Sequence, residues 1–81
     1  MDDSQIHQHI EDLVAEERSL YERAGQGEAL RDEERQRLEA ITVELDRFWD
    51  LLRQRKALEE FGRDPSDASL RSAETVEDYE G

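Results

Sequence analysis

Residues 38–52 read LEAITVELDRFWDLL, and this stretch decides the fold. Its apolar residues recur at steps of three and four, the spacing that places side chains on one face of an α-helix. The members of this stripe are Leu38, Ile41, Leu45, Phe48 and Leu52. An isolated amphipathic helix is only marginally stable in water, so the stripe must pack against a second apolar surface, in this chain or in a partner.

A preceding segment offers that surface within the same chain. The same three-and-four rhythm predicts a first helix over about residues 4–24, and its apolar positions are Ile6, Ile10, Leu13, Leu20 and Ala24. We expect Gly25 to take the left-handed conformation that ends a helix. A turn over residues 25–31 then leads to a second helix over about residues 32–61, which Gly62 and Pro65 bring to an end.

The predicted fold class is all-α, an antiparallel two-helix hairpin of coiled-coil type within residues 1–62. Pairing the two stripes gives contacts whose residue numbers sum to about 58. Asp3 then faces Arg55 across the open end, and we expect an ion pair there. The second helix is the longer one, so it leaves Ala57, Leu58 and Phe61 without a partner from the first helix.

Residues 63–81 form an acidic tail, GRDPSDASLRSAETVEDYEG when Gly62 is included. Its composition predicts a mostly disordered or loosely docked segment, largely irregular in structure. If the tail is ordered, its three apolar residues, Leu70, Val76 and Tyr79, are expected to contact Leu58 and Phe61.

Apolar side chains beside the hairpin seam predict self-association. A two-helix hairpin buries only one seam, and a homodimer that forms a four-helix bundle would cover the residues flanking it. The candidate interaction surface comprises Val14, Tyr21, Trp49, Leu51, Leu58 and Phe61. The alternative is a monomer with a few exposed apolar side chains.

Composition limits the class of partner. The chain has 23 acidic residues against 11 lysines and arginines, a formal charge of −12, which disfavours binding to nucleic acid and to anionic membranes. There is no cysteine, so thiolate chemistry and disulfides are excluded. The N-terminal sequence MDDSQIHQH has no apolar run, and we therefore expect neither a signal peptide nor a membrane span but a cytoplasmic protein.

No constellation of residues indicates catalysis, a cofactor or a metal. His7 and His9 are two residues apart, which on a helix directs them about 200° from each other, away from any common metal ion. The one basic cluster contains Arg53, Arg55 and Lys56. It is a candidate contact for an acidic partner or a phosphate, and the alternative is a solvated helix face paired with the acidic N-terminus.

Four segments of the sequence resemble those of a known family: DLVAEE at 12–17, LYERAG at 20–25, ELDRFWDLLRQR at 44–55 and AETVEDY at 73–79. The chain resembles a family of short actinobacterial proteins classed as a domain of unknown function, over nearly its whole length. The resemblance implies a bacterial, cytoplasmic, helical protein and carries over no site residue. Relatives tend to read Ser-Pro-Glu-Glu at the entry to the second helix, whereas this chain has Arg31 and Asp32 in place of the first two, which predicts a weaker cap.

These features leave two hypotheses of function open. The first is a non-enzymatic helical interaction module that self-associates and presents an acidic outer surface to an unidentified protein partner. The alternative is an acidic regulator that imitates nucleic acid at a basic protein site.

Overall fold

Two long α-helices and a short third one make up the described part of the protein. The structure, a computed structural model, describes residues 1–27 and 29–80, and side chains as far as residue 76. Helix α1 spans Asp3–Gly25 and helix α2 spans Asp32–Glu60, while the tail contains a 3-10 turn, Pro65–Asp67, and helix α3, Ala73–Glu80. Within these described residues there is no strand. The predicted all-α hairpin with a largely irregular tail is confirmed.

The helix ends follow local capping. Asp2 Oδ1 accepts from the Gln5 amide at 2.8 Å, and Gln5 Oε1 accepts from the Asp2 amide at 2.9 Å, which satisfies two free amides at the start of α1. At the start of α2, Glu34 Oε1 accepts from the Arg31 amide at 2.9 Å, but the Arg31 side chain provides no acceptor. The second cap is therefore only half formed, as the departure from the family pattern predicts.

The expectation for Gly25 was wrong. Gly25 is the last residue of α1, and the left-handed conformation falls at Gly27, which has a φ of 84°. Helical bonding continues one step further than predicted, because the Gln26 amide still donates to the Glu22 and Arg23 carbonyls. The chain turns only at the next residue that lacks a Cβ atom.

Ion pairs along the hairpin fix the antiparallel register of α1 and α2. Arg55 Nε donates to Asp3 Oδ1 at 2.5 Å at the open end, so the predicted pair is confirmed. Arg37 Nε and Nη2 donate to the two carboxylate oxygens of Glu16 at 2.5 and 2.8 Å near the middle, and Arg23 pairs with Glu34 near the connecting turn. In each pair at least one side chain is 40% exposed or more, so the pairs specify the register of the helices but add little to the free energy of folding.

The core lies along the hairpin seam. Ile6, Ile10 and Leu51 form its buried cluster, and partly buried apolar residues of both helices pack around them. Among the described side chains, the other buried apolar residues are Leu13, Ile41 and Val76. Val76 belongs to α3, so the tail contributes to the buried interior.

The burial of Leu51 contradicts a prediction from the sequence. It was expected to stay exposed on the flank of the seam, yet it is only 5% exposed. The reason is the path of the tail: after Gly62, which has a φ of 71°, the chain reverses and runs back along α2. Ala68 packs against the core cluster from this returning segment. A side chain between α1 and the tail is therefore covered from two directions.

The tail leaves Phe61, the residue that follows α2, uncovered. Phe61 is 81% exposed, so the expected contacts from the apolar tail residues do not bury it. Leu70 instead lines a cavity together with His9 and Phe48, at the side of α1, and Val76 is buried further along the chain. The expected contact of Tyr79 lies outside the described side chains.

The corrected position of Leu51 is testable by truncation. We expect Leu51→Ala to lower the free energy of unfolding by about 2–4 kcal/mol, because it removes buried methyl groups and leaves a cavity. The matched control, Leu70→Ala, should cost under about 1 kcal/mol because Leu70 is exposed. Urea denaturation followed by circular dichroism measures both values. Equal losses for the two variants would contradict the assignment of Leu51 to the core.

Candidate functional site

Asp50 anchors the tail to α2. Its carboxylate is bound by the Arg71 guanidinium through two nitrogens, with Nε donating to Oδ2 at 2.8 Å and Nη2 donating to Oδ1. Asp50 is 1% exposed, so a charge here requires a partner of this kind. The hydrogen bonds from Arg71 lower the pKa of Asp50 below its usual value, assisted by Gln54 and opposed by burial. The carboxylate is therefore ionised at neutral pH.

Two neighbours of Asp50 hold the tail by its backbone. Gln54 Nε2 donates to Asp50 Oδ2 at 2.9 Å and to the Ser69 carbonyl at 2.8 Å. Arg47 Nε donates to the Arg71 carbonyl at 2.8 Å. Because Arg47, Asp50 and Gln54 are spaced by three and four residues, they form one polar stripe on α2, which we call the tail-binding stripe.

An open groove lies where α2 ends and the tail departs. It has a volume of about 650 Å³, and its apolar surface comes from Ala57, Leu58, Phe61 and Ala68. We call it the end groove. Arg63 and Asp67 also line it. It exists because Gly62 reverses the chain in a Schellman-type turn, in which the Arg63 amide donates to the Leu58 carbonyl at 2.8 Å.

A smaller adjoining cavity adds two arginines to this region. It shares Gln54 and Ala57 with the end groove and is also lined by Asp50, Arg53 and Arg71. Arg53, from the predicted basic cluster, thus lies next to the end groove. Arg55, also from that cluster, has a structural role instead. Besides pairing with Asp3, its guanidinium donates to the Met1 and Pro65 carbonyls at 2.9 and 3.2 Å.

A third cavity, on the side of α1, holds paired charges. The His9 ring stacks on Phe48 with ring centroids 5.2 Å apart. Nearby, the hydrogen bonds from Arg37 lower the pKa of Glu16. Among the described residues no three His, Asp or Glu side chains gather to hold a metal ion.

The six candidate interaction residues do not form one surface. Leu51 is in the core, while Leu58 and Phe61 line the end groove. Tyr21 and Trp49 are 59% and 44% exposed, and Val14 is half-buried against the core. Lys56, from the basic cluster, is exposed on α2.

The remaining three candidates share the side of the hairpin that faces away from the tail. Trp49 lies across α2 from the tail-binding stripe, since each residue turns an α-helix by about 100°. Val14 and Tyr21 lie across α1 from His9 and Glu16, which face the Leu70 cavity. With the half-buried Leu45 and Leu52 of α2, they form what we call the tail-free face: Val14, Tyr21, Leu45, Trp49 and Leu52.

Comparison with known proteins assigns the family. A family model described as a protein of unknown function, DUF2630, matches residues 2–81. The chain belongs to this family. Uncharacterised proteins of Mycobacterium bovis and Mycobacterium tuberculosis are 49% identical to the chain over 79 residues, covering 98% of it and 91% of each relative. The predicted resemblance to a short actinobacterial family of unknown function is confirmed. No solved structure matches the chain.

The family description assigns no site, so the candidate surfaces depend on geometry alone. Sequence reasoning missed Asp50 and Arg71, which organise the tail of this family member. One signal was available: Arg71 is the only basic residue after Arg63, in an otherwise acidic segment. In the described part of the chain, no helix has both the length and the apolar character needed to cross a lipid bilayer.

The charge on Asp50 predicts that docking of the tail on α2 weakens in acid. Because its pKa is lowered on folding, the carboxylate stabilises docking above its unfolded pKa of about 3.9, and this stabilisation is lost as pH falls through the folded value. We expect Asp50→Asn to weaken protection of the Val76 amide at neutral pH by about 1.5–3 kcal/mol. In acid, where Asp50 is protonated, the Val76 amide should be equally protected in the wild-type protein and in Asp50→Asn. Amide hydrogen exchange measures both.

The matched control is Glu60→Gln, a neutralised acid at an exposed position of α2. It should leave Val76 protection unchanged at every pH. If Asp50→Asn matched the wild type at neutral pH, the ion pair would have no part in docking the tail.

Proposed function

We propose that the protein is a non-enzymatic, cytoplasmic helical interaction module that forms a homodimer through its tail-free face. The observation that carries the proposal is the exposure of Tyr21 and Trp49 on that face, above the half-buried aliphatic residues that border the core. Two large aromatic side chains on one apolar surface are typical of protein interfaces.

The size and shape of the protein support a second copy as the occupant. The accessible surface is 5887 Å², about 840 Å² more than the roughly 5,050 Å² expected for a compact monomer of this mass. The molecule is accordingly elongated and thin, 51 × 26 × 15 Å. A standard interface buries about 800 Å² on each partner. An isologous dimer through the tail-free face would thus bring the solvent-exposed surface of each chain close to the area expected for a compact protein of this mass.

The arrangement of the helices also favours a dimer. The tail already covers one side of the hairpin, so the tail-free face is the side on which a second hairpin can pack. Two hairpins stacked in this way form a four-helix bundle with two-fold symmetry, in which each copy offers the same surface. The acidic residues outside the interface would then face solvent or a further protein partner.

Net charge distinguishes this proposal from the alternative of an acidic mimic of nucleic acid. Each chain carries a formal charge of −12, so two copies repel each other and salt should strengthen a dimer held by apolar contacts. A mimic bound to a basic protein should instead dissociate as salt rises.

Sedimentation measurements test the dimer. We expect a dimer in the wild-type protein and a dissociation constant about 30-fold or more higher for Trp49→Ser, the effect of losing an aromatic anchor from an interface centre. Raising the salt concentration should lower the wild-type dissociation constant.

The control variant is Phe61→Ser, which removes another exposed aromatic residue, the one that directly follows α2. It lies outside the tail-free face and should dimerise as the wild type does. A wild-type protein that stays monomeric at all concentrations, or equal losses for the two variants, would rule out the proposed interface.

A further inference from the structure

The tail docks chiefly on one helix. Both of its helical elements, the 3-10 turn and α3, pack on α2, and among the described residues neither element packs on α1. The polar bonds that hold residues 69–71 come from Arg47, Asp50 and Gln54, all in the tail-binding stripe. The interface between the tail and α2 is therefore separable from the packing of α1 on α2.

Residues 61–64 connect α2 to the docked tail without burying a side chain. All four residues are exposed, and Phe61 is 81% exposed. The chain reverses here through Gly62, whose φ of 71° suits glycine, and through the bond from the Arg63 amide to the Leu58 carbonyl. The connection can therefore straighten without losing buried surface of its own, and four extended residues span up to about 13 Å.

Release of the tail leaves complementary surfaces on the two parts of the chain. On α2 it uncovers Asp50 and Leu51, while on the tail it uncovers Val76 and separates Arg71 from its carboxylate partner. Another copy with a released tail carries the same two surfaces. If each tail docks on α2 of the other copy, every contact that release removes forms again, and such swapping of an element is a low-cost route to a dimer.

We propose that the tail-binding stripe is also a binding site for a second copy of the chain, with the two tails exchanged so that Arg71 of each copy pairs with Asp50 of the other. The end groove supports this occupant because it lies at the connection that straightens. Its lining is apolar apart from Gln54 and one arginine balanced by one aspartate. Tail exchange would bring Phe61 and Leu58 of the two copies together, a contact that the single chain lacks and that favours the exchanged form.

The hairpin leaves room for tail exchange. Helix α1 begins opposite Arg55, so residues 56–60 of α2 project beyond it. Two copies can thus meet end to end at these projections, away from the tail-free face. The charge of −12 on each chain opposes any second copy. Because each molecule is 51 Å long, end-to-end contact places most charges of one copy farther from the other than the screening length of about 8 Å in physiological salt.

Sedimentation of Gly62→Ala tests tail exchange, in a Trp49→Ser parent that lacks the proposed dimer of tail-free faces. A Cβ atom at Gly62 meets no atom within 4 Å, so the substitution acts through the left-handed φ, which disfavours the reversal in both copies. We expect a dimer dissociation constant about tenfold or more lower than that of the parent. The matched control is Gly25→Ala, since Gly25 has the same open space without a left-handed φ, and it should leave the constant unchanged.

Reciprocal charge variants show whether the tail crosses between copies. In the same parent, Asp50→Arg and Arg71→Asp each place like charges in the docking contact of a single chain. Exchange between the two variants pairs an arginine with an aspartate at both contacts, so an equimolar mixture should form a dimer that neither variant forms alone. The double variant is matched within one chain, and protection of its Val76 amide against hydrogen exchange verifies that the reversed pair docks.

Three results would overturn tail exchange: an unchanged dissociation constant for Gly62→Ala, an equal fall for Gly25→Ala, or an equimolar mixture that stays monomeric. If the reversed pair failed to dock in the double variant, the comparison of the two glycines would decide alone. The dimer of tail-free faces is measured separately, through Trp49→Ser in the otherwise wild-type chain, so the two proposals fail independently.

Discussion

The ion pair between Asp50 and Arg71 is the interaction on which the arrangement of the chain depends. It joins a buried carboxylate on α2 to a residue 21 positions later, and it holds the tail beside the hairpin. Removing Arg71 would leave a charge buried without its main partner, and that charge is costly unless the tail opens and lets water reach it. The tail is thus tied to the hairpin by this ion pair, by hydrogen bonds from Arg47 and Gln54 to its backbone, and by apolar contacts at Ala68 and Val76.

Helix α2 consequently has three sides with different surroundings. One side packs on α1, a second binds the tail, and the side bearing Trp49 is left exposed. The division explains why the tail-free face and the end groove are distinct surfaces. The tail-free face is apolar because it continues the seam, whereas the end groove is created by the turn at Gly62, where the chain departs before covering Phe61.

Most of the hairpin could be predicted from the sequence because its signals are local. The three-and-four stripes gave both long helices, and their pairing placed Asp3 opposite Arg55, as observed. The burial of Leu51 could not be predicted in this way, since it depends on a contact with the tail that helical periodicity does not encode. The pairing of Asp50 with Arg71 was missed for the same reason: a charged residue on an acidic helix normally faces solvent. Trp49 and Tyr21 were recognised as exposed because they border the stripes without belonging to them.

The most direct test of the central claim, that the tail is an integral part of the fold, is the unfolding of a chain lacking residues 63–81. We expect a lower thermal midpoint than that of the full chain and faster amide exchange around Leu51, because the deletion exposes Asp50 and Leu51 to water. An unchanged midpoint together with unchanged exchange at Leu51 would contradict it.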